Sequence, residues 1–191
     1  MRGTILAAAL LAAVPVSGAM AQTEAPPIPV KGLDIDRYSG LWHEMARYPN
    51  PMQDKDCVNP TAEYGYDDDG NVAIVDSCSN MQGIVTSTTL GTATRVGKGD
   101  DATFTVDYGD GQADDYWVVA VASDYSWSIV SVPERDRLWI LTREPITGGP
   151  KMTALVAKAQ ELGFDTSKLF YSQKGGINLT SSLEPESGFG G

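Results

Sequence analysis

The sequence predicts an all-β fold of about eight antiparallel strands followed by one C-terminal α-helix. Three observations lead to this prediction. Short segments rich in β-branched or alternating apolar residues follow one another along most of the chain. Turn-forming residues separate them at the spacing found in β-sandwiches and β-barrels. Apolar residues repeat at helical spacing in one segment, residues 151–162.

The first strands are indicated by alternation and by turn chemistry. Residues 42–48 alternate between two faces, as a half-buried strand does. Residues 61–66 and 72–77 flank an Asp-Gly turn, which is a hairpin signal. The Thr-rich run of residues 84–95 favours a strand, because β-branched side chains fit a pleated sheet better than a helix.

The second half of the chain contains the remaining strands and the helix. Four strands are predicted, at residues 103–108, 116–122, 127–132 and 138–142. The helix of residues 151–162 presents one apolar stripe for packing, formed by Met152, Leu155, Val156, Ala159 and Leu162. A short last strand is predicted at residues 169–173.

Composition limits the partners of the protein. The chain has 191 residues, a formal net charge of −11 and 42% hydrophobic residues. This length predicts one domain, and the hydrophobic content is sufficient for a packed core. Nucleic acid is excluded as a partner, because neutralising its phosphates requires clustered Lys and Arg. An anionic membrane surface would also repel so acidic a protein.

The N-terminal segment is typical of a secretory signal peptide spanning residues 1–21. A short positive start precedes an apolar run at residues 5–16, and Ala19-Met20-Ala21 fits the small-x-small cleavage rule. A transmembrane anchor would need about 20 apolar residues. The run is shorter than that and is interrupted by Pro15. No Cys lies near the predicted cleavage point, so we expect no stable membrane anchor and a soluble periplasmic or secreted protein.

The folded domain is expected at residues 32–174. Residues 22–31 are Pro-rich and predict an extended leader, because proline cannot donate to a strand ladder. Residues 175–191 are rich in Gly and Ser and predict a flexible tail.

Cys57 and Cys78 are the only cysteines, and they flank the predicted hairpin almost symmetrically. Opposed positions on antiparallel strands come close enough for a bridge, and an exported chain meets an oxidising compartment. The main prediction is therefore a disulfide, with two free thiols as the alternative.

The most specific motif is the stretch Tyr38-Ser39-Gly40-Leu41-Trp42-His43-Glu44-Met45-Ala46-Arg47-Tyr48. Its Gly40-Leu41-Trp42 core resembles the first motif of the lipocalin family. The whole stretch resembles the bacterial lipocalin branch that is related to apolipoprotein D. Ser123-Asp124-Tyr125 resembles the second lipocalin motif, and Leu138-Trp139-Ile140-Leu141-Thr142-Arg143-Glu144-Pro145 resembles the third.

The resemblance implies an eight-stranded antiparallel up-and-down β-barrel with the C-terminal helix packed on its wall. In the family the Trp of the first motif closes the bottom of the barrel, and the Arg of the third motif lies over it. We therefore expect Arg143 to form a cation–π contact with Trp42. The loop after Tyr48 would overhang the open mouth, with Met52 as its residue nearest a ligand.

The resemblance also implies a carrier of small hydrophobic ligands such as fatty acids or lysophospholipids, acting as a monomer or weak dimer. Alternation predicts which side chains face the barrel interior, although ordinary core packing is an equal alternative for each. These candidates are Glu44, Ala46, Tyr48, Tyr64, Ile74, Phe104, Val106, Val119 and Val121.

The alternative function is an enzyme that acts on a lipid or isoprenoid held in the barrel, with Glu44 as acid or base. Catalytic residue sets are scarce in the sequence. Its single His, His43, is predicted to point out of the barrel and has no evident triad partners. One lipocalin enzyme, a prostaglandin synthase, uses a nucleophilic Cys, but a bridged sulfur cannot attack. One His and two Cys form no metal cluster, so we expect no cofactor and no metal.

Overall fold

In the part of the chain that the structure describes, nine strands form one antiparallel sheet that closes into a barrel. The computed structural model describes residues 24–53, 57–68, 70–80, 82–145 and 149–172. The predicted signal peptide and the predicted tail lie outside these residues. The elements in chain order are α1 (Ile35–Tyr38), β1 (Gly40–Arg47), β2 (Val58–Tyr66), β3 (Val72–Ser79), β4 (Val85–Arg95), β5 (Thr103–Asp107), β6 (Ala113–Val121), β7 (Trp127–Ser131), β8 (Leu138–Thr142), α2 (Gly149–Glu161), a 3-10 turn (Thr166–Lys168) and β9 (Phe170–Tyr171).

The barrel closes because β1 pairs with two partners. Each of β2 to β7 pairs with the next strand, and β1 pairs with both β8 and β2. Beyond its contact with β2, β1 pairs with β9 instead. The eight-stranded antiparallel barrel and the C-terminal helix are therefore confirmed.

The two ends of the barrel differ. Because consecutive strands are antiparallel, the loops after β1, β3, β5 and β7 lie at one end, the mouth. The leader and α1 cover the other end. Val30 of the leader donates a backbone hydrogen bond to Val118 and accepts one from Ala102, at 2.8 and 2.9 Å. In the described part of the chain, no helix is long and apolar enough to cross a membrane.

The barrel wall separates two cores. The inner core fills the closed end of the barrel and comprises Leu33, Tyr38, Trp42, Tyr64, Ile74, Ala93, Ala102, Phe104, Val106, Val118, Tyr125, Val130 and Leu141. The outer core lies on the other face, where α2 packs, and comprises Met45, Ala46, Tyr48, Val119, Ala120, Ile129, Leu138, Ile140, Met152, Leu155, Ala159 and Phe164. On the helix stripe, Val156 and Leu162 are only partly buried.

Irregularities in two strands decide which side chains reach which core. The pairing of β1 with β8 shifts register between Glu44 and Ala46, and the pairing of β6 with β7 shifts between Val118 and Ala120. A bulge adds one residue and reverses the alternation beyond it. The prediction that Ala46 and Tyr48 face the interior is therefore wrong, and both belong to the outer core. The prediction for Val119 is also wrong, because its neighbour Val118 packs in the inner core and alternation turns Val119 to the outer core.

The predicted disulfide is confirmed. Cys57 lies directly before β2 and Cys78 lies in β3, with their Cα atoms 5.2 Å apart. The bridge joins the start of β2 to the neighbouring strand at the mouth. It also fixes the point where the loop after β1 returns to the barrel.

Replacing both cysteines with Ala should lower the free energy of unfolding by about 3 kcal/mol, because the disulfide restricts a loop of about 20 residues in the unfolded chain. Chemical denaturation of the variant and the oxidised parent measures this difference. A parent that is equally stable with and without a reducing agent would contradict the prediction.

Candidate ligand-binding site

A cavity of about 480 Å³ occupies the mouth half of the barrel. This volume falls within the usual range of small-molecule sites, about 300 to 1,000 Å³. Side chains from several strands and from the mouth loops surround it. The lining residues are Glu44, Asn50, Met52, Gln53, Pro60, Thr61, Ala62, Tyr64, Asp76, Ser77, Cys78, Ser87, Thr89, Val106, Tyr108, Asp110, Asp114, Asp115, Tyr116, Arg137, Trp139 and Leu141.

A cluster of three tyrosines lies at the bottom of the cavity. The hydroxyl of Tyr116 lies 2.8 Å from that of Tyr64 and 3.0 Å from that of Tyr38. Tyr38 also lies 3.0 Å from the Ser128 hydroxyl. Burial raises the pKa of Tyr38 to about 12 and holds the pKa of Tyr64 and of Tyr116 well above the ordinary value. The floor is therefore neutral and hydrogen-bonded at physiological pH.

Below this floor, Trp42 and Arg143 close the barrel. The Arg143 guanidinium carbon lies 3.9 Å from the centroid of the fully buried Trp42 ring. The same guanidinium donates hydrogen bonds to the backbone carbonyls of Leu41, Arg37 and Tyr38, at 2.9, 2.7 and 3.0 Å. One side chain thus ties β8 to β1 and to α1.

The other motif residues support the same closed end. Gly40 has φ +93°, a backbone conformation that would be strained for a larger residue, and it lies in van der Waals reach of Arg143. Asp124 accepts a hydrogen bond from the Ser126 backbone N–H in the turn before β7. The ring of Tyr125 lies 4.2 Å from the Arg37 guanidinium, and its hydroxyl accepts from the Asp34 backbone N–H.

One wall of the cavity carries a partly buried carboxyl group. Asp76 of β3 lines the cavity and accepts a 2.6 Å hydrogen bond from the Tyr108 hydroxyl. No ion pair among the described residues includes Asp76. Burial raises the pKa of Asp76 to about 6, opposed by the Tyr108 hydrogen bond and assisted by the charge of Glu44. Asp76 is therefore ionised at neutral pH but can be protonated in mild acid.

Glu44, the candidate acid or base, is held in a buried ion pair. It accepts a 2.9 Å hydrogen bond from Arg47, whose side chain is only 3% exposed, and a further hydrogen bond from Ser172. Its second oxygen accepts a 2.9 Å bond from Gln53 of the mouth loop. Both carboxylate oxygens are thus engaged, and they join β1 to the loop and to the segment after β9.

The mouth has its own polar contacts. Arg137, from the loop before β8, lies 2.9 Å from the Asp114 carboxylate and 3.0 Å from the sulfur of Met52. Met52 is 49% exposed and belongs to the cavity lining. These contacts bring the loop after β1 across one side of the mouth.

The ten predicted ligand contacts fall into three groups. Four line the cavity: Glu44, Met52, Tyr64 and Val106. Three pack in or against the inner core without lining the cavity: Ile74, Phe104 and Val121. Three belong to the outer core: Ala46, Tyr48 and Val119. Tyr48 instead contacts the segment after α2, where its hydroxyl donates to the carbonyl of Asp165.

The prediction missed several polar and aromatic lining residues. Asp76 follows Ile74 by two positions, and Tyr108 follows Val106 in the same way. Continuing the alternation to the ends of their strands would have found both. Arg137 lies in a loop, where alternation gives no signal.

Among the described residues, no group of three or more His, Cys, Asp or Glu side chains is placed to hold a metal ion.

Comparison with known proteins places this geometry in a family. The model of the lipocalin-like domain matches residues 33–174. The chain belongs to the lipocalin family. It is 30% identical to temperature-induced lipocalin-1 of Arabidopsis thaliana over 167 residues, which cover 82% of this chain and 88% of the relative. It is also 30% identical to the outer membrane lipoprotein Blc of Escherichia coli K12 over 147 residues, covering 77% and 82% of the two chains.

Solved structures show the same fold at low sequence identity. Insecticyanin of the tobacco hornworm Manduca sexta aligns with a TM-score of 0.60 at 18% identity, covering 78% of this lipocalin and 85% of insecticyanin. Lobster apocrustacyanin A1 aligns with a TM-score of 0.54, also at 18% identity, covering 78% and 91% of the two chains. Lipocalins bind small hydrophobic ligands, and the cavity of this lipocalin lies inside its barrel.

Arg143→Ala should destabilise the barrel by about 2 to 4 kcal/mol while the folded fraction keeps its cavity. The substitution removes a cation–π contact and leaves several backbone carbonyls without their charged donor. Denaturation followed by tryptophan fluorescence measures the loss. Arg143→Lys is the matched control, because it keeps the charge but not the planar set of donors, and it should lose less. Equal stability of the Ala variant and the parent would contradict this account of the closed end.

Asp76→Asn should stabilise the protein at neutral pH by about 1 to 3 kcal/mol. The pKa of Asp76 is raised on folding from 3.8 to about 6, so the folded state binds the proton more tightly than the unfolded state. The free energy of unfolding of the parent therefore includes a favourable contribution from protonated Asp76 below pH 4. This contribution is lost as the pH rises through 6. The stability gap between variant and parent should therefore open between these two values.

The matched control is Asp68→Asn, which removes the same charge from an exposed turn between β2 and β3. Its stability difference from the parent should not change over that pH interval. A gap between Asp76→Asn and the parent that is the same at every pH would show that burial does not perturb this carboxyl group.

Proposed function

We propose that this lipocalin binds one amphiphilic molecule in its barrel and carries or stores it outside the cytoplasm. The observation that supports the proposal is the cavity of about 480 Å³, which joins the mouth loops to an aromatic floor. Burying apolar groups there provides the driving force, about 0.8 kcal/mol for each methylene. Fatty acids and lysophospholipids are the two ligand classes that the resemblance to bacterial lipocalins implies, and their head groups differ in charge.

The lining indicates how such a ligand would be oriented. Apolar and aromatic residues lie deep in the cavity, among them Tyr64, Val106, Tyr116 and Leu141. Charged residues lie at the mouth, among them Asp110, Asp114 and Arg137. An amphiphile would therefore place its chain toward the floor and its polar group toward the mouth or the polar wall.

Export is the second part of the proposal. Residues 1–21 have the pattern of a cleaved signal peptide, and the disulfide is favoured in an oxidising compartment. Bacterial relatives are named outer membrane lipoproteins. Both cysteines of the present sequence are joined to each other, so we propose a periplasmic or secreted protein without an acylated Cys.

Turnover of the bound molecule is the second candidate function, and one observation favours it. Asp76 lies in the cavity with a pKa of about 6, which suits a group that transfers protons near neutral pH. Mass spectrometry of lipids extracted from the purified protein separates the two candidates. Recovery of unchanged lipid supports carriage, and recovery of a modified product supports turnover.

Affinity should rise with chain length in a homologous series of lysolipids and then level off when the cavity is full. A chain of about a dozen buried methylenes offers about 10 kcal/mol of gross transfer free energy. Losses of motion on association leave an expected dissociation constant in the micromolar range. Trp139 lines the cavity, so its fluorescence reports the titration of delipidated protein.

Thr89→Phe and Thr88→Phe form a matched pair for this titration. Both threonines are exposed on β4, but only Thr89 is a lining residue, so only its Phe variant should narrow the cavity. We expect Thr89→Phe to shorten the chain length at which affinity levels off. If no chain of any length binds to folded protein, or if the two variants behave alike, the proposed function is wrong.

A further inference from the structure

The charge of the cavity does not suit an acidic ligand. Five carboxylate side chains line it, Glu44, Asp76, Asp110, Asp114 and Asp115, and Arg137 is the one cationic side chain in the described lining. A fatty acid would bring a further negative charge into this group. Like charges at close range in a partly desolvated site repel one another more strongly than in water.

Two of the five carboxylates are neutralised inside the protein. Glu44 pairs with Arg47, and Asp114 pairs with Arg137, both at 2.9 Å. The described ion pairs contain none of the other three, Asp76, Asp110 and Asp115.

Of these three residues, Asp76 lies in the middle of a strand, β3, whereas Asp115 lies near the mouth end of β6 and Asp110 in the loop before it. It occupies the position in β3 that is opposite Ala62 of β2 and Thr89 of β4, both of which line the cavity. One of its oxygens accepts from Tyr108, and the described residues supply no hydrogen bond to the other. A desolvated carboxylate with one open oxygen is suited to a cationic partner.

Aromatic rings of the lining provide the second element of a cation site. The described lining includes Tyr64, Tyr108, Tyr116 and Trp139. The faces of tyrosine and tryptophan rings attract ammonium groups, and sites for quaternary ammonium use them together with a carboxylate.

We infer that the preferred ligand of this cavity carries a positively charged ammonium group, primary or quaternary, beside its hydrophobic part, and that Asp76 is the main counter-ion. This inference rests on the proposed function, because it specifies the ligand of the same cavity. The apolar part packs toward the tyrosine floor. The ammonium group lies against the β3 wall, between the Asp76 carboxylate and the aromatic rings.

A ligand series with one chain length tests the charge preference. Decyltrimethylammonium and decanoate, each below its micelle concentration, and decanol, below its solubility limit, are titrated calorimetrically into delipidated protein at neutral pH. The ammonium compound should bind about tenfold more tightly than the alcohol, and the carboxylate more weakly than the alcohol. A carboxylate that binds as tightly as the ammonium compound would overturn the inference.

The net charge of −11 attracts cations everywhere on the surface, so the variants must separate the site from the overall field. Asp76→Asn should remove most of the preference for ammonium over alcohol, whereas Asp68→Asn, with the same change of net charge, should leave it intact.

Thr89→Lys places an ammonium group opposite Asp76 without removing a buried residue. It should weaken decyltrimethylammonium about tenfold more than it weakens decanol, because both compounds meet the larger side chain but only one meets its charge. Thr88→Lys, on the adjacent residue outside the lining, is its control.

The outcomes distinguish this inference from the proposed function. If decanol binds and the ammonium compound binds no better, the cavity is a ligand site but the inference is wrong. Equal effects of Thr89→Lys and Thr88→Lys would also overturn it, because the preference would then arise from net charge alone. If none of the three compounds binds to folded protein, the proposed function fails together with the inference.

Discussion

The stacking of Arg143 on Trp42 is the contact on which the closed end of this lipocalin depends. One guanidinium covers an indole face and also satisfies backbone carbonyls of α1 and β1. The rim of a small barrel leaves such carbonyls without ladder partners, and an unpaired buried acceptor costs about 1 to 3 kcal/mol. The two residues lie about a hundred positions apart in the sequence. Their contact therefore fixes the relative positions of β1, β8 and α1, and with them the floor of the cavity.

The two bulges divide the apolar residues between two separate cores. Without the shift in β1, Ala46 would face the barrel interior and the helix would lose part of its packing surface. The shift in β6 places Ala120 on the helix side in the same way and turns Val121 toward the inner core. The bulge in β1 lies toward the mouth, so it removes an apolar side chain from the upper interior. Polar and aromatic residues line the interior there, and a cavity remains instead of a continuous core.

Regular alternation and long motifs explain which parts of the structure could be predicted from the sequence. The strand order, the helix, the disulfide and the contact of Arg143 with Trp42 depend on extended patterns or on motif resemblance. The positions of Ala46 and Tyr48 depend on the bulge in β1, which adds one residue without an obvious sequence signal. The bulge in β6 likewise places Val119 and Val121 on opposite faces, although regular alternation would put them on the same one. Asp76 and Tyr108 obey the alternation, but a search for hydrophobic contacts passes over a carboxyl group.

The placement of Asp76 links the stability of the barrel to its function. At neutral pH an ionised carboxylate in this wall opposes folding, as its raised pKa shows. A neutral residue of the same size would make the empty barrel more stable. A cation bound beside Asp76 would reverse this effect, because it favours the ionised form and lowers the pKa again. Desolvation of the Asp76 carboxylate thus lowers the stability of the empty barrel. That stability is recovered only when a positively charged ligand is bound. A carboxylate or a neutral chain cannot recover it, so one partly buried side chain opposes the empty state and selects the charge of the ligand.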